Sequence, residues 1–298
     1  MVFALPFPEI GPNIVDFELF GIQVAIRWYA MAYIVGIIIG WRMAVSAVWE
    51  DRLWRRDIAP ITPREVDDFI TWVIVGVILG GRLGFVIFYN PGYYLQNPHE
   101  ILYVWQGGMA FHGGLIGVIV AIIAFALKNK LPMLSLGDLV GLATPPGLFL
   151  GRVANFINGE LWGRGTDVPW AFVFPDPRSH ICPGIEGICA RHPSQLYEAV
   201  LEGLILGAFI LWLVWRRGAL KRPGFTLGVF LTGYGVGRFI VEYFRQADLQ
   251  FITAENPMGY AIYWGDFGLQ MGQLLSLPMI LIGLGFIAWA YRPHPRYV

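Results

Sequence analysis

The sequence predicts an all-α, polytopic membrane protein of about seven transmembrane helices. The N-terminus is expected to be exoplasmic, the C-terminus cytoplasmic and the exoplasmic loops ordered. Three observations predict this. Of 298 residues, 56% are hydrophobic and 14% charged, where soluble domains carry about 25% charged residues. Apolar runs recur at about 20 residues, the length a helix needs to cross a hydrocarbon core of about 30 Å. Lys and Arg collect in alternate connectors, the pattern that sets orientation in a bilayer.

The runs lie at 24–48, 67–89, 111–127, 134–158, 195–215, 224–244 and 269–291. The third is short and rich in glycine, so a re-entrant start is one reading of it. Arg52, Arg55, Arg56 and Arg64 separate the first two spans, and Lys128 and Lys130 follow the third. Arg216, Arg217, Lys221 and Arg222 follow the fifth, and Arg292 and Arg296 follow the seventh. These connectors read as cytoplasmic. The chain then forms a single transmembrane domain, 1–298, with exoplasmic segments 1–23, 90–110, 159–194 and 245–268. The N-terminal residues lack a basic n-region and carry Glu9, Asp16 and Glu18, so no cleavable signal peptide is expected.

Lys+Arg and Asp+Glu balance at 21 each, which gives no sign of a nucleic-acid partner. No His pair stands at ligand spacing on one helix, and no Walker or dinucleotide fingerprint is present, so no metal or cofactor is expected. The two cysteines, Cys182 and Cys189, share one loop. They pair if that loop faces an oxidising compartment; otherwise they are two free thiols.

Ionisable side chains inside membrane spans are costly and mark candidate sites. Gly151 to Gly163 closes the fourth span with Arg152, Asn155, Asn158 and Glu160, where a helix should be ending. Arg152 and Asn155 share a face, and Pro145-Pro146 should kink or interrupt the same span. Tyr234, Arg238 and Glu242 are spaced four apart and line one face of the sixth span. Two readings of Arg238 stay open: a buried ion pair with Glu242, or a planar fork offered to a phosphate. Glu198 and Glu202 are also four apart and are candidate partners for the arginines. His112 sits among glycines at 107–108 and 113–114, either as a hydrogen-bonding residue or as a base. Arg82, in Gly80-Gly81-Arg82-Leu83-Gly84, is read first as structural, paired with Glu242 or another acid. Tyr29 begins the first span, where a tyrosine is ordinarily an interfacial anchor.

Taken together, these blocks resemble the prolipoprotein diacylglyceryl transferase family. The matching stretches are Gly151 to Gly163, Gly80 to Gly84, Phe111 to Gly117, Arg191 to Glu198, and the run from Gly233 through Tyr234, Arg238 and Glu242 to Arg245-Gln246. They fall in order over nearly the whole chain. The resemblance implies a seven-helix inner-membrane enzyme that moves a diacylglyceryl group from phosphatidylglycerol to the lipobox cysteine of an exported precursor. It implies that His112, Arg152 and Arg238 are needed for turnover. Tyr29, Arg82, Asn155, Glu160, Gly163, Tyr234 and Glu242 are then expected around the substrates. Asp167–Ala190, with both cysteines, departs from the family's pattern. A lipid or small-anion transporter using the same arginines is the competing reading.

Overall fold

A computed structural model describes residues 4–19, 22–182, 187–253, 255–265 and 267–292. The architecture is helical. The spans are α1 (Trp28–Trp49), α2 (Pro63–Phe88), α3 (Phe111–Asn129), α4 (Met133–Ile157), α5 (Ser194–Arg217), α6 (Phe225–Val241) and α7 (Met271–Ala290). All but α6 are long and apolar enough to cross a membrane. At 17 residues, α6 rises about 25 Å and stops short of a full crossing. Strands are few. An antiparallel hairpin joins Asn13–Leu19 to Ile22–Arg27, Leu5–Pro6 pairs in parallel with Phe172–Val173, and Ile262–Trp264 pairs with Phe267–Leu269.

Local chemistry explains where helices start. Thr62 caps α2, accepting from the Glu65 amide while the Glu65 carboxylate accepts from the Thr62 amide, and Pro63 follows at the first helical position. Asp138, fully buried in α4, accepts from the amides of Gly224 at 2.7 Å and Leu227 at 2.9 Å. It thereby closes the exposed N–H groups at the start of α6.

Two expectations are corrected. The glycine-rich start of the third span is not re-entrant. It is helical from Phe111, because Gly113 and Gly117 lie against the backbone of Gly76, Gly80 and Gly84 in α2. A Cβ at Gly84 would fall 2.7 Å from the Gly113 Cα, so small residues set the α2–α3 approach. Pro145 and Pro146 do not interrupt α4, which runs unbroken through them. Neighbouring helices and side chains re-satisfy the backbone around such prolines. Gly207 of α5 lies against Pro145, and the Thr144 hydroxyl donates to the Val140 carbonyl at 2.7 Å.

The helix α4 is the axis of the bundle and touches α1, α3, α5 and α6. The apolar core gathers near its N-terminal end, where Leu136, Leu139 and Leu142 pack with Trp54, Ile61, Ile210 and Leu220. The polar groups lie toward its other end. In α5 the backbone winds as a π-helix over Ala199–Ile205, a distortion that recurs at functional sites.

Candidate active site

Two arginines from different helices meet on one carboxylate. Glu198, at the start of α5 and 2% exposed, sets its Oε2 2.9 Å from Arg152 Nε and its Oε1 3.0 Å from Arg238 Nη1. Arg245, just beyond α6, brings its Nη1 to 3.7 Å from the same Oε1. Arg238 Nη1 also approaches Glu242 Oε2 to 2.7 Å, one turn along α6, off the hydrogen-bond axis. Glu242 is itself pressed against α7, since a Cβ at Gly272 would lie 2.5 Å from its carboxylate. Tyr234 is near enough to Arg152 and Arg238 to interact with their charges. Buried charges persist when paired in this way.

A second chain of contacts leads outward from Arg152. Its Nη1 reaches Asn155 Oδ1 at 3.5 Å, and Asn155 Nδ2 donates to Glu160 Oε1 at 2.8 Å. Asn158 donates to the same oxygen at 3.3 Å. Glu160 then lines an open cavity of about 760 Å³ with Asn158, Arg27 and Tyr29. The Tyr29 hydroxyl lies 2.9 Å from that of Tyr33. Arg152, Asn155, Glu160, Tyr29, Tyr234, Arg238 and Glu242 therefore form one connected region.

Gly163 is a different kind of residue. Its amide donates to the His192 carbonyl at 2.9 Å, and a Cβ there would fall 2.5 Å from the Phe244 carbonyl. It lets three chain segments cross, which places Arg245 beside Glu198. Arg191, 3% exposed, ties this crossing by donating to the carbonyls of Gly163, Ser179 and Ile181 and to Gln246 Oε1. Cys182 and Cys189 form a disulfide packed on Gly165, which settles the open pairing question. Bridging cysteines 7 residues apart should stabilise the fold by about 2 kcal/mol. Reductant is accordingly expected to lower the thermal midpoint, and Cys182→Ser with Cys189→Ser should reproduce that lower value without added reductant.

Among the described residues, Arg82 and His112 make none of these contacts. Arg82 does not pair with Glu242. Its guanidinium is spent on loop carbonyls: Ile101 at 2.9 Å, Glu100 at 2.6 Å, Gly107 at 2.6 Å and Gly108 at 3.3 Å. It is 4% exposed and stacks by its charge over Tyr94. Four loop carbonyls accept from this one guanidinium, so Arg82 acts as a scaffold for the loop. Its work is to hold the loop that delivers His112 to the start of α3. Arg82→Gln is expected to lower stability by about 2–4 kcal/mol, since buried carbonyls lose their donors; thermal unfolding in detergent measures this. His112 is exposed, with its ring edge-on to Phe111. Among the described residues, no hydrogen bond or ion pair links it to the arginines.

Sequence reasoning named Glu198 as a possible partner but not as the hub, and it left Arg245 and Arg191 unassigned. The Arg191-His192-Pro193-Ser194-Gln195-Leu196-Tyr197-Glu198 block held part of the signal. His192 meets the Tyr197 hydroxyl at 3.0 Å, and Trp170 donates to that hydroxyl at 2.7 Å. Burial pushes the His192 imidazole below the ordinary histidine pKa, which favours its neutral form.

Fold and site together define a multi-pass helical membrane protein whose spans converge on a buried cluster of arginines and carboxylates. Within that class, the chain belongs to the prolipoprotein diacylglyceryl transferase family, whose model matches residues 17–289. It is 60% identical over 284 residues to the phosphatidylglycerol–prolipoprotein diacylglyceryl transferase of Ruegeria pomeroyi, covering 95% of this chain and 96% of that one. The Roseobacter denitrificans protein of the same name is 60% identical over 287 residues, covering 96% and 98%. That of Rhizobium meliloti is 48% identical over 286 residues, covering 96% and 94%.

Proposed function

We propose that this protein transfers the diacylglyceryl group of phosphatidylglycerol to the lipobox cysteine thiol of prolipoproteins, forming a thioether and releasing glycerol phosphate. One observation carries the reading of the site: Arg152 and Arg238, from α4 and α6, share the two oxygens of Glu198. Two guanidiniums that converge on one carboxylate can converge on one phosphate. The names of the relatives supply the substrates. The competing transporter reading finds no support among them.

In the proposed step, thiolate sulfur attacks the glyceryl carbon bonded to phosphate oxygen. The sulfur–carbon bond forms, the carbon–oxygen bond breaks, and its electron pair stays on phosphate. Negative charge grows where Arg152 and Arg238 point, so they favour the transition state over the bound lipid. The chain from Asn155 to Glu160 fixes Arg152, and the cavity beside Glu160 and Tyr29 is the proposed path for the headgroup. Thiol is a far weaker nucleophile than thiolate, and a free cysteine is only a few per cent ionised near neutrality. His112 is proposed as the base that takes the thiol proton, serving the peptide while the arginines serve the lipid. His112→Asn keeps the shape and loses the basic nitrogen. Its transfer rate is expected to fall about 100-fold or more and to lose its rise with pH near neutrality; an unchanged pH profile would assign His112 a hydrogen-bonding role.

The same reading places the chain in the bacterial inner membrane with residues 1–23, 90–110, 159–194 and 245–268 outside. The Cys182–Cys189 disulfide supports that orientation, because disulfides persist in oxidising compartments. The decisive experiment mixes purified protein with phosphatidylglycerol and a lipobox peptide. A peptide mass increased by one diacylglyceryl group supports the proposal; unmodified peptide with active, folded protein refutes it.

A further inference from the structure

Glu202 is a carboxyl of this region that the proposed chemistry leaves unused. It is fully buried, and both of its oxygens lack a hydrogen-bond partner. It sits inside the π-helical turn of α5. Its side chain lies over α6, where a Cβ at Gly237 would come 3.2 Å from its Cγ. Arg152 from α4, Arg238 from α6 and Arg245 beyond α6 all act on it electrostatically, as does Glu198 one turn away. Tyr234 faces it from α6, and Glu242 pairs with Arg238. Arg152, Arg238 and Arg245 thus face Glu198, Glu202 and Glu242, with Glu160 and Arg164 one contact further out, and the ionised groups sum to zero charge.

A neutral cluster is a poor host for a phosphodiester anion, and the carboxylates Glu198 and Glu242 are held by close ion pairs. Glu202 has no such pair. We propose that Glu202 is a positioning residue that takes up a proton when a phosphodiester binds, leaving three arginines against two carboxylates and one net positive charge for the phosphate. The physical cause is simple. An arriving anion disfavours a nearby buried carboxylate, and the carboxyl without hydrogen bonds gives way first. The proposal rests on the reading of Arg152 and Arg238 as phosphate ligands.

Proton uptake on binding is measurable without turnover. The probe is glycerophosphoglycerol, a diester with no group of its own titrating near neutral pH. Binding heats for the whole protein in detergent at about pH 9, alkaline enough for the buried carboxyl to be ionised before the probe arrives, in two buffers of different ionisation enthalpy, give the protons taken up. Wild type is expected to take up a substantial fraction of one proton. Glu202→Gln should bind the probe with that uptake gone, and Glu202→Asp should retain it. His112→Asn should also retain it, which separates the two titratable groups. Uptake that survives in Glu202→Gln overturns the proposal. So does binding by wild type with no uptake, which leaves the phosphate reading standing. No binding at all removes the phosphate reading and this proposal with it. If Glu202→Gln fails to fold, the Asp and His112→Asn variants still decide: loss of uptake in His112→Asn assigns the proton to His112 and overturns the role of Glu202.

Discussion

Diacylglyceryl transfer by Arg152→Lys is expected to fall about 100-fold or more, the scale seen when one preorganised donor to a developing anion is lost. The fold should persist. Arg152 uses Nε for Glu198 at 2.9 Å and Nη1 for Asn155 at 3.5 Å, so its planar fork meets two partners at once. A lysine carries the same charge at a single point and cannot hold both directions. If it keeps the Glu198 contact, the tie through Asn155 to Glu160 is lost; if it reaches the phosphate, the carboxylate loses a partner. The measurement is mass-detected transfer from phosphatidylglycerol vesicles to a lipobox peptide, with size-exclusion elution and thermal midpoint as controls for folding. Near-normal transfer would remove Arg152 from the phosphate site, because charge alone would then suffice.

Glu198→Gln is expected to cost about 3–5 kcal/mol of stability and most of the turnover, since truncating one partner leaves buried charge uncompensated. Three guanidiniums converge on this carboxylate, two of them at 2.9 Å and 3.0 Å. Removing its charge leaves them repelling one another with two other carboxylates nearby, of which Glu242 alone makes a close pair. A second substitution tests this account. Arg245→Gln in the Glu198→Gln background should recover part of the lost stability, because it removes one unbalanced charge, and contacting pairs deviate from additivity in this way. Unfolding midpoints of the single and double variants measure the coupling. Additive losses would mean that Arg245, at 3.7 Å, contributes nothing to the cluster.

The spans were legible because the bilayer imposes a length on every apolar run, and that length can be counted along the chain. The sixth was read three residues too far at its C-terminal end, since Glu242 to Phe244 continue its composition while the helix stops at Val241. Pairs within one helix were legible for a similar reason. Residues three or four apart must share a face, so Arg152 with Asn155 and Arg238 with Glu242 followed from periodicity alone. The partners of Arg82 were not legible, because an arginine in a span looks alike whether it faces a ligand or a loop. Its four acceptors are backbone carbonyls, which carry no signature in a sequence. The packing at Gly163 was not legible either, since its small size serves a crossing of three segments distant along the chain.

By itself, the sequence determined a membrane-spanning helical bundle, the family to which it belongs and the arginines set at the far ends of its spans. These depend on composition and on neighbours along one helix. The tertiary structure alone decided that Glu198 is the shared hub, that Arg245 joins it from beyond α6, that Cys182 and Cys189 are joined and that Glu202 is left without a hydrogen bond. Each depends on how separate helices and loops approach one another. Side-chain packing sets that approach in three dimensions, and no one-dimensional period encodes it.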